Sequence, residues 1–468
     1  MKHLIATLLA ACLAAPFASA AAPKPNFVVV FIDDMGWGDF SCFGNKEAET
    51  PNIDRFASEG IRFKSFYVNA PICSPSRCAL TTGQYPQRWR ITSFLNNRKD
   101  NKRRGMVQWL DPAAPTLAKS LKQQGYTCGH FGKWHLGGQR DVDEAPPITD
   151  YGYDKSLTNF EGMGPKLLPL VRTPQKKKPF KIWEDAERLG GPYTWMPRCE
   201  ITTGFIDPAI GFMDQAVKDK KPFYVNLWPD DVHSPFFPSL KHWAGNKKGL
   251  YHAVLREMDV QFGRLFDHIR NSPELRDDTI VLVCSDNGPE PGAGSAGPFR
   301  GSKGMLFEGG IRSPLIAWAP GMMDASMAGS ANESAVFAAF DIAPSLLALA
   351  GAQPSEELDG EDLSATLLGK SGTGRTKPIF WRRPPDRDSS GPARELPDLA
   401  VRDGEWKLLC EYDGSDPELY HLTKDPGETK NLADSRKAEV ERLTRLAVGW
   451  HRSMPPDKGP ALAVPPKP

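Results

Sequence analysis

The stretch "FVVVFIDD", residues 27–34, decides the fold. Its first six residues are apolar and rich in β-branched side chains, with no alternation of polar and apolar. Such a run reads as a strand buried on both faces. Three more runs share that character: "FYVNLW" (223–228), "TIVLVC" (279–284) and "SPLIAWA" (313–319). Strands of this kind belong to parallel or mixed sheets covered by helices. Helical patterns lie between them. "APTLAKSLKQQG" (114–125) ends on a glycine suited to a C-cap. "YHAVLREMDVQFGRLFDHIRN" (251–271) repeats apolar residues at three- and four-residue steps. "AVFAAFDIAPSLLALAG" (335–351) reads as a helix interrupted at Pro344. The alternation predicts an α/β fold.

The chain's 468 residues are ample for a large core. The net charge of +1 gives no global field for nucleic acid or a membrane surface. The opening "MKHLIATLLAACLAAPFASA" carries a short basic region, an apolar run and an Ala-Ser-Ala site. That pattern predicts a signal peptide over 1–20 and an exported, periplasmic or secreted protein. Lipoprotein processing at Cys12 is the minor alternative. No other segment is long and apolar enough to span a membrane. Seven cysteines remain (42, 73, 78, 128, 199, 284 and 410), an odd number in an oxidising compartment. Near residue 370 the texture changes at "GKSGTGRTKP". A catalytic domain is expected over 21–370, a smaller α+β subdomain over 371–454, and a proline-rich disordered tail over 455–468.

Polar residues follow the apolar runs, where open α/β sheets bind ligands. Asp33 and Asp34 follow the first, and Ser285, Asp286 and Asn287 follow "TIVLVC". These oxygen donors suit Ca²⁺ or Mg²⁺ rather than zinc. Each pair taken alone reads first as a turn or cap, but both pairs at the ends of buried strands point to a metal. Lys133, His135, His233 and Lys303 supply cationic donors suited to a tetrahedral oxyanion.

"CSPSRCALTTG" (73–83) and "GYTCGHFGKWHLG" (125–137) resemble the two signatures of the type I, formylglycine-dependent sulfatases. "PNFVVVFIDDMGWGD" (25–39), "TPNIDRFASEGIRF" (50–63), "SDNG" (285–288) and "KGMLFEGGIRSP" (303–314) also fit. So does "DGEWKLL…ELYHLTKDPGETKNLAD" (403–434). The resemblance points to the arylsulfatase and N-acetylgalactosamine-6-sulfatase branch. It implies an alkaline-phosphatase-like sandwich: a large mixed, mostly parallel sheet flanked by helices, plus a small C-terminal antiparallel sheet. It implies that Cys73 is oxidised to formylglycine by a formylglycine-generating or anaerobic sulfatase-maturating enzyme. One hydroxyl of the hydrated aldehyde then attacks sulfur. By the same resemblance Asp33, Asp34, Asp286, Asn287 and the modified Cys73 hold one Ca²⁺, with Mg²⁺ the weaker choice. Arg77 steadies the diol, while Lys133 and Lys303 contact sulfate. His135 is the base that releases sulfate, and His233 is the acid for the leaving oxygen. Arg300 is a candidate substrate contact beside these donors, whereas Glu308, Gly309, Gly310 and Arg312 read as structural support.

The expected substrate is a sulfated sugar, polysaccharide or aryl sulfate. "NNRKDNKRRG" (96–105) and "RTPQKKKPFK" (172–181) read as basic loops that either meet a polyanionic glycan or are merely solvated. "YTWMP" (193–197) and "WRRPP" (381–385) offer aromatic rings for sugar stacking or for packing. Two rival readings remain. One is a formylglycine-dependent phosphodiesterase or phosphonate monoester hydrolase. The other is a non-catalytic glycan-binding protein on the same fold.

Overall fold

In β1 (Asn26–Ile32), Phe27, Val29 and Phe31 enter one buried cluster, while Val28, Val30 and Ile32 enter another on the opposite face. Every residue of β1 is buried, so each side chain of the run contributes to a core. Burial on that scale contributes roughly 1.5–3 kcal/mol per large apolar side chain. The structure is a computed structural model that describes residues 24–354, 357–385 and 396–458. The expected signal peptide and Cys12 lie outside the described residues.

The other strands of the main sheet are β2 (Ile61–Tyr67), β3 (Thr127–Gly132), β4 (Lys155–Thr158), β5 (Lys166–Thr173) and β6 (Lys176–Lys181). They continue with β7 (Tyr193–Pro197), β8 (Phe223–Trp228), β9 (Thr279–Ser285), β10 (Arg312–Trp318) and β11 (Ala331–Ala338). The order is β11-β2-β10-β9-β1-β8-β3-β4-β5-β6, with β7 also paired to β5. β10 and β6 run against the rest. Helices Ile201–Lys218 and Lys247–Asn271 cover one face, burying Phe205, Met213, Met258 and Phe262 there.

A second sheet of four antiparallel strands follows: β12 (Ile379–Arg382), β13 (Leu399–Asp403), β14 (Trp406–Cys410) and β15 (Glu418–His421). Helix Lys437–Ser453 lies against it. Leu399, Leu408, Leu419 and Trp450 share one hydrophobic cluster with Phe27 and Phe31 of the main sheet.

Several sequence expectations change. Residues 335–338 belong to a strand, because "AVFA" pairs with β2, and the helix runs only from Ile342 to Leu349. Pro344 therefore sits in a first turn and interrupts nothing. The basic stretch 172–181 lies largely in the β5–β6 hairpin, and 98–103 is a short helix. Trp381 is fully buried and its indole donates to the Val68 carbonyl at 2.7 Å, so it packs and is closed to sugar. The start of the expected disordered tail is ordered: Arg382 donates to the Pro455 carbonyl at 3.0 Å. Among the described residues all seven cysteines are free, and Cys78 is buried in its helix as expected. No described helix is long and apolar enough to cross a membrane.

Candidate active site

Four adjacent parallel strands, β9, β1, β8 and β3, end on one side of the sheet, the side where such folds bind ligands. β1 delivers Asp33 and Asp34, and β9 delivers Asp286 and Asn287. Lys133 and His135 follow β3, and Asp230 and His233 follow β8. The antiparallel β10 begins at this same side, so the loop before it brings Lys303. Gly288 makes that approach possible: a Cβ there would lie 2.0 Å from the Gly309 carbonyl oxygen. Helix Cys73–Thr82 follows β2 and is buried at every residue, with Cys73 as its first and Pro75 in its first turn.

Asp33, Asp34 and Asp286 are fully buried, each offering a ligand oxygen within 4.8 Å of the others. The Asp34 amide donates to Asp286 Oδ1 at 3.2 Å, with Asp34 held at a left-handed φ of 59°. Asn287 Nδ2 donates to Asp34 Oδ1 at 2.9 Å. Asn287 Oδ1 and Asp33 Oδ1 are sealed from solvent and accept no hydrogen bond. Burial and the neighbouring Asp33 push the Asp286 carboxyl well above its usual range. Burial alone would raise Asp33 too, but the surrounding cations, Lys133 first, hold it well below. The cluster carries orphaned oxygens. It has only hard oxygen donors, so it fits a divalent metal.

Cations close the other side. Lys133 Nζ lies 2.7 Å from Asp33 Oδ2, and Lys303 Nζ lies 2.5 Å from Asp34 Oδ2. Arg77 is fully buried; its Nη2 donates to Asp286 Oδ2 at 2.7 Å and sits 3.3 Å from Asp33 Oδ1. Its Nη1 donates to the Lys133 carbonyl at 3.0 Å, and Trp228 lies beneath the guanidinium. Arg77 is thus a fixed counter-ion under the carboxylates. His233 Nδ1 faces the Ser234 carbonyl at 2.7 Å, leaving Nε2 3.5 Å from both Asp34 Oδ2 and Lys303 Nζ. His135 is buried, at a φ of 55°, with Nε2 against the Leu95 carbonyl at 2.8 Å. Burial lowers its pKa to about 4. The charges acting on the Cys73 thiol are Lys133, Asp33, Lys303 and Glu161, and burial pushes the thiol up.

The structure therefore gathers ten of the eleven expected residues: Asp33, Asp34, Cys73, Arg77, Lys133, His135, His233, Asp286, Asn287 and Lys303 share the crevice. Arg300 is placed otherwise. Its guanidinium stacks on Phe307, and Nη1 reaches the Tyr420 hydroxyl at 3.2 Å and Glu418 Oε2 at 3.4 Å. It ties the Lys303 loop to the small sheet. Glu161, after β4, is a site residue that sequence reasoning missed. Its Oε2 lies 3.2 Å from both Lys133 Nζ and His135 Nδ1. Its only sequence signal is an acid just beyond a short strand.

A sulfatase family model matches residues 25–352, well over half of the chain. The chain belongs to the sulfatase family. It is a sulfuric ester hydrolase. A second model, the C-terminal region of N-sulphoglucosamine sulphohydrolase, matches residues 299–446, which span the Lys303 loop and the small sheet of this sulfatase. Human N-acetylgalactosamine-6-sulfatase is 30% identical over 465 residues, covering 92% of this chain and 85% of its own. Human arylsulfatase A is 32% identical over 449 residues, covering 88% and 84%. The solved structure of Ps i-CgsB with k-i-k-neocarrahexaose aligns with a TM-score of 0.73 at 26% identity, covering 91% of this chain and 92% of that one. The phosphonate monoester hydrolase of Agrobacterium radiobacter shares the fold, with a TM-score of 0.63 at 19% identity over 94% and 97%.

Proposed function

We propose that this sulfatase is exported and removes sulfate from a sulfated carbohydrate, with formylglycine made from Cys73 as its nucleophile. The observation that carries this reading is the place of Cys73. It opens a buried helix, whose N-terminal amides favour an anion, beside two lysines and a metal-type carboxylate cluster. A buried thiol whose pKa is raised stays protonated and is a poor nucleophile. An aldehyde hydrate at the same point is not limited in that way. Conversion needs a formylglycine-generating or anaerobic sulfatase-maturating enzyme as partner.

Asp33, Asp34, Asp286, Asn287 and the converted Cys73 would hold Ca²⁺, which supplies Lewis acidity when bound. Lys133 and Lys303 bind the sulfate oxygens. One hydroxyl of the hydrated residue gives its proton to the neighbouring Asp286 carboxylate as its oxygen bonds to sulfur, the S–O bond to the alcohol breaks, and the alcohol leaves with a proton from His233 Nε2. The second hydroxyl then gives its proton to His135. The aldehyde C=O re-forms as the C–O bond to sulfate breaks, and sulfate leaves with that electron pair.

The names of the relatives support a sugar substrate. The test is turnover of para-nitrophenyl sulfate, a panel of sulfated mono- and disaccharides, and an aryl phosphonate ester. Sulfate release from at least one sulfated sugar, at a kcat/KM above that of the phosphorus ester, is the expected result. A higher kcat/KM on the phosphorus ester would overturn the assignment.

A further inference from the structure

Glu161 is buried at the centre of the site, in a segment stitched to the loop it faces. The Trp134 and His135 amides both donate to the Glu161 carbonyl, at 3.2 and 3.0 Å. The Gly162 amide donates to the Gly138 carbonyl at 2.7 Å. The Glu161 amide donates to Asn159 Oδ1 at 2.9 Å, and Asn159 Nδ2 donates to Asp230 Oδ2 at 2.9 Å. Backbone bonds thus fix the segment independently of the carboxylate. The carboxylate itself sits 3.2 Å from Lys133 Nζ and 3.2 Å from His135 Nδ1.

The His135 ring makes the purpose of that carboxylate legible. A carbonyl accepts only, so Nε2 must carry a proton to meet the Leu95 oxygen at 2.8 Å. In the neutral imidazole the lone pair then lies on Nδ1, the nitrogen beside Glu161. The other charged groups acting on the ring are the cations Lys133 and Arg77, which oppose a positive imidazole. Glu161 is the acid that opposes them.

We propose that Glu161 is a positioning residue for sulfate release: it pairs with the imidazolium formed when Nδ1 of His135 takes the proton of the second diol hydroxyl. It also pairs with the Lys133 ammonium, which Asp33 holds as well. The inference rests on the formylglycine reading above. The balance is simple. The hydroxyl O–H bond breaks, the proton goes to Nδ1, and the electron pair forms the aldehyde C=O as sulfate departs. A fixed carboxylate beside an imidazolium is a recurring arrangement in hydrolases.

The test is Glu161→Gln in the full, matured chain, assayed on para-nitrophenyl sulfate. The amide keeps size and backbone bonds but removes the charge. The account predicts a kcat lower by about 10–100-fold with KM within about threefold, in the range for loss of an outer-shell carboxylate. The acid limb of the kcat profile moves to lower pH, because losing a nearby anion lowers the imidazole pKa. Intact-protein mass spectrometry during turnover shows the covalent sulfate ester accumulating. Glu161→Asp restores part of kcat, and it serves as the test if the glutamine variant does not fold. A Glu161→Gln protein with native kcat, an unmoved acid limb and no accumulated ester would overturn the proposal. So would a Glu161→Asp protein with native kcat and profile where that variant alone can be measured. If the native protein itself shows unconverted Cys73 yet turns over, the formylglycine reading fails instead.

Discussion

Two buried ionic clusters lie at neighbouring places in this fold, and they are completed differently. The first joins the main sheet to the small one. Glu308 Oε1 meets Lys407 Nζ at 3.0 Å, while Oε2 accepts from the Tyr67 hydroxyl at 2.6 Å and lies 3.2 Å from Arg312. Lys407 also reaches Glu428 at 2.8 Å, and Glu428 accepts the Glu308 amide at 2.7 Å. Both carboxylate oxygens of Glu308 accept hydrogen bonds from the protein, and Glu428 Oε1, which accepts none, lies against the Lys407 ammonium. The second cluster, around Asp33, Asp34 and Asp286, leaves Asn287 Oδ1 without a donor and Asp33 Oδ1 with no hydrogen bond and only the Arg77 guanidinium at 3.3 Å. A buried polar network left incomplete is costly unless something else enters it. The complete cluster is architecture, and the incomplete one is a place for a metal and an oxyanion.

Predictions that separate the two clusters run from large to small. Cys73→Ala abolishes the nucleophile, so turnover should fall at least ~10⁴-fold while sulfated ligand still binds, as measured by kcat and by calorimetry. Asp286→Asn, or chelation of the native protein, should cost activity about 10²-fold or more, and added Ca²⁺ should raise the Tm of native protein only. Lys407→Met should act on stability instead. It leaves buried Glu428 without a cation and Glu308 paired with Arg312 alone, at a cost of about 3–5 kcal/mol in urea unfolding. Its remaining folded fraction should keep KM close to native.

The pH dependence that Glu428 gives this cluster has a definite sign. Burial, with Glu308 nearby, raises Glu428 from 4.5 to about 7. Its folded form therefore holds a proton that the unfolded chain releases. That contribution is full below about 4.5 and is lost as pH rises to about 7. Glu428→Gln should flatten this slope in a Tm series against pH. The smallest effect belongs to Arg300→Ala. Its side chain is 44% exposed in the pair with Glu418, so stability should change by less than about 1 kcal/mol. A large rise in KM instead would restore it as a substrate contact.

Much of this was legible in the sequence where burial is two-sided. The runs that became β1, β8, β9 and β10 read as strands because both faces enter a core. The acids behind β1 and β9 read as ligands because they follow such runs. At the sheet edge the signal fades. β5 to β7 carry lysines and prolines, and Tyr193 is 47% exposed, so neither alternation nor apolar density marks them. "AVFA" was absorbed into a helix because its pairing partner, β2, lies some 270 residues earlier. Glu161 was hidden for the same reason. Its role exists only through contacts with Lys133 and His135, which no local pattern encodes.

The central claim is that Cys73 works as an aldehyde and not as a thiol. Peptide mass spectrometry across residues 62–88 of the active protein tests it directly. The account predicts a peptide about 18 Da lighter than the cysteine form, in proportion to specific activity, as conversion to formylglycine requires. Full activity in protein whose Cys73 is wholly unmodified would contradict it.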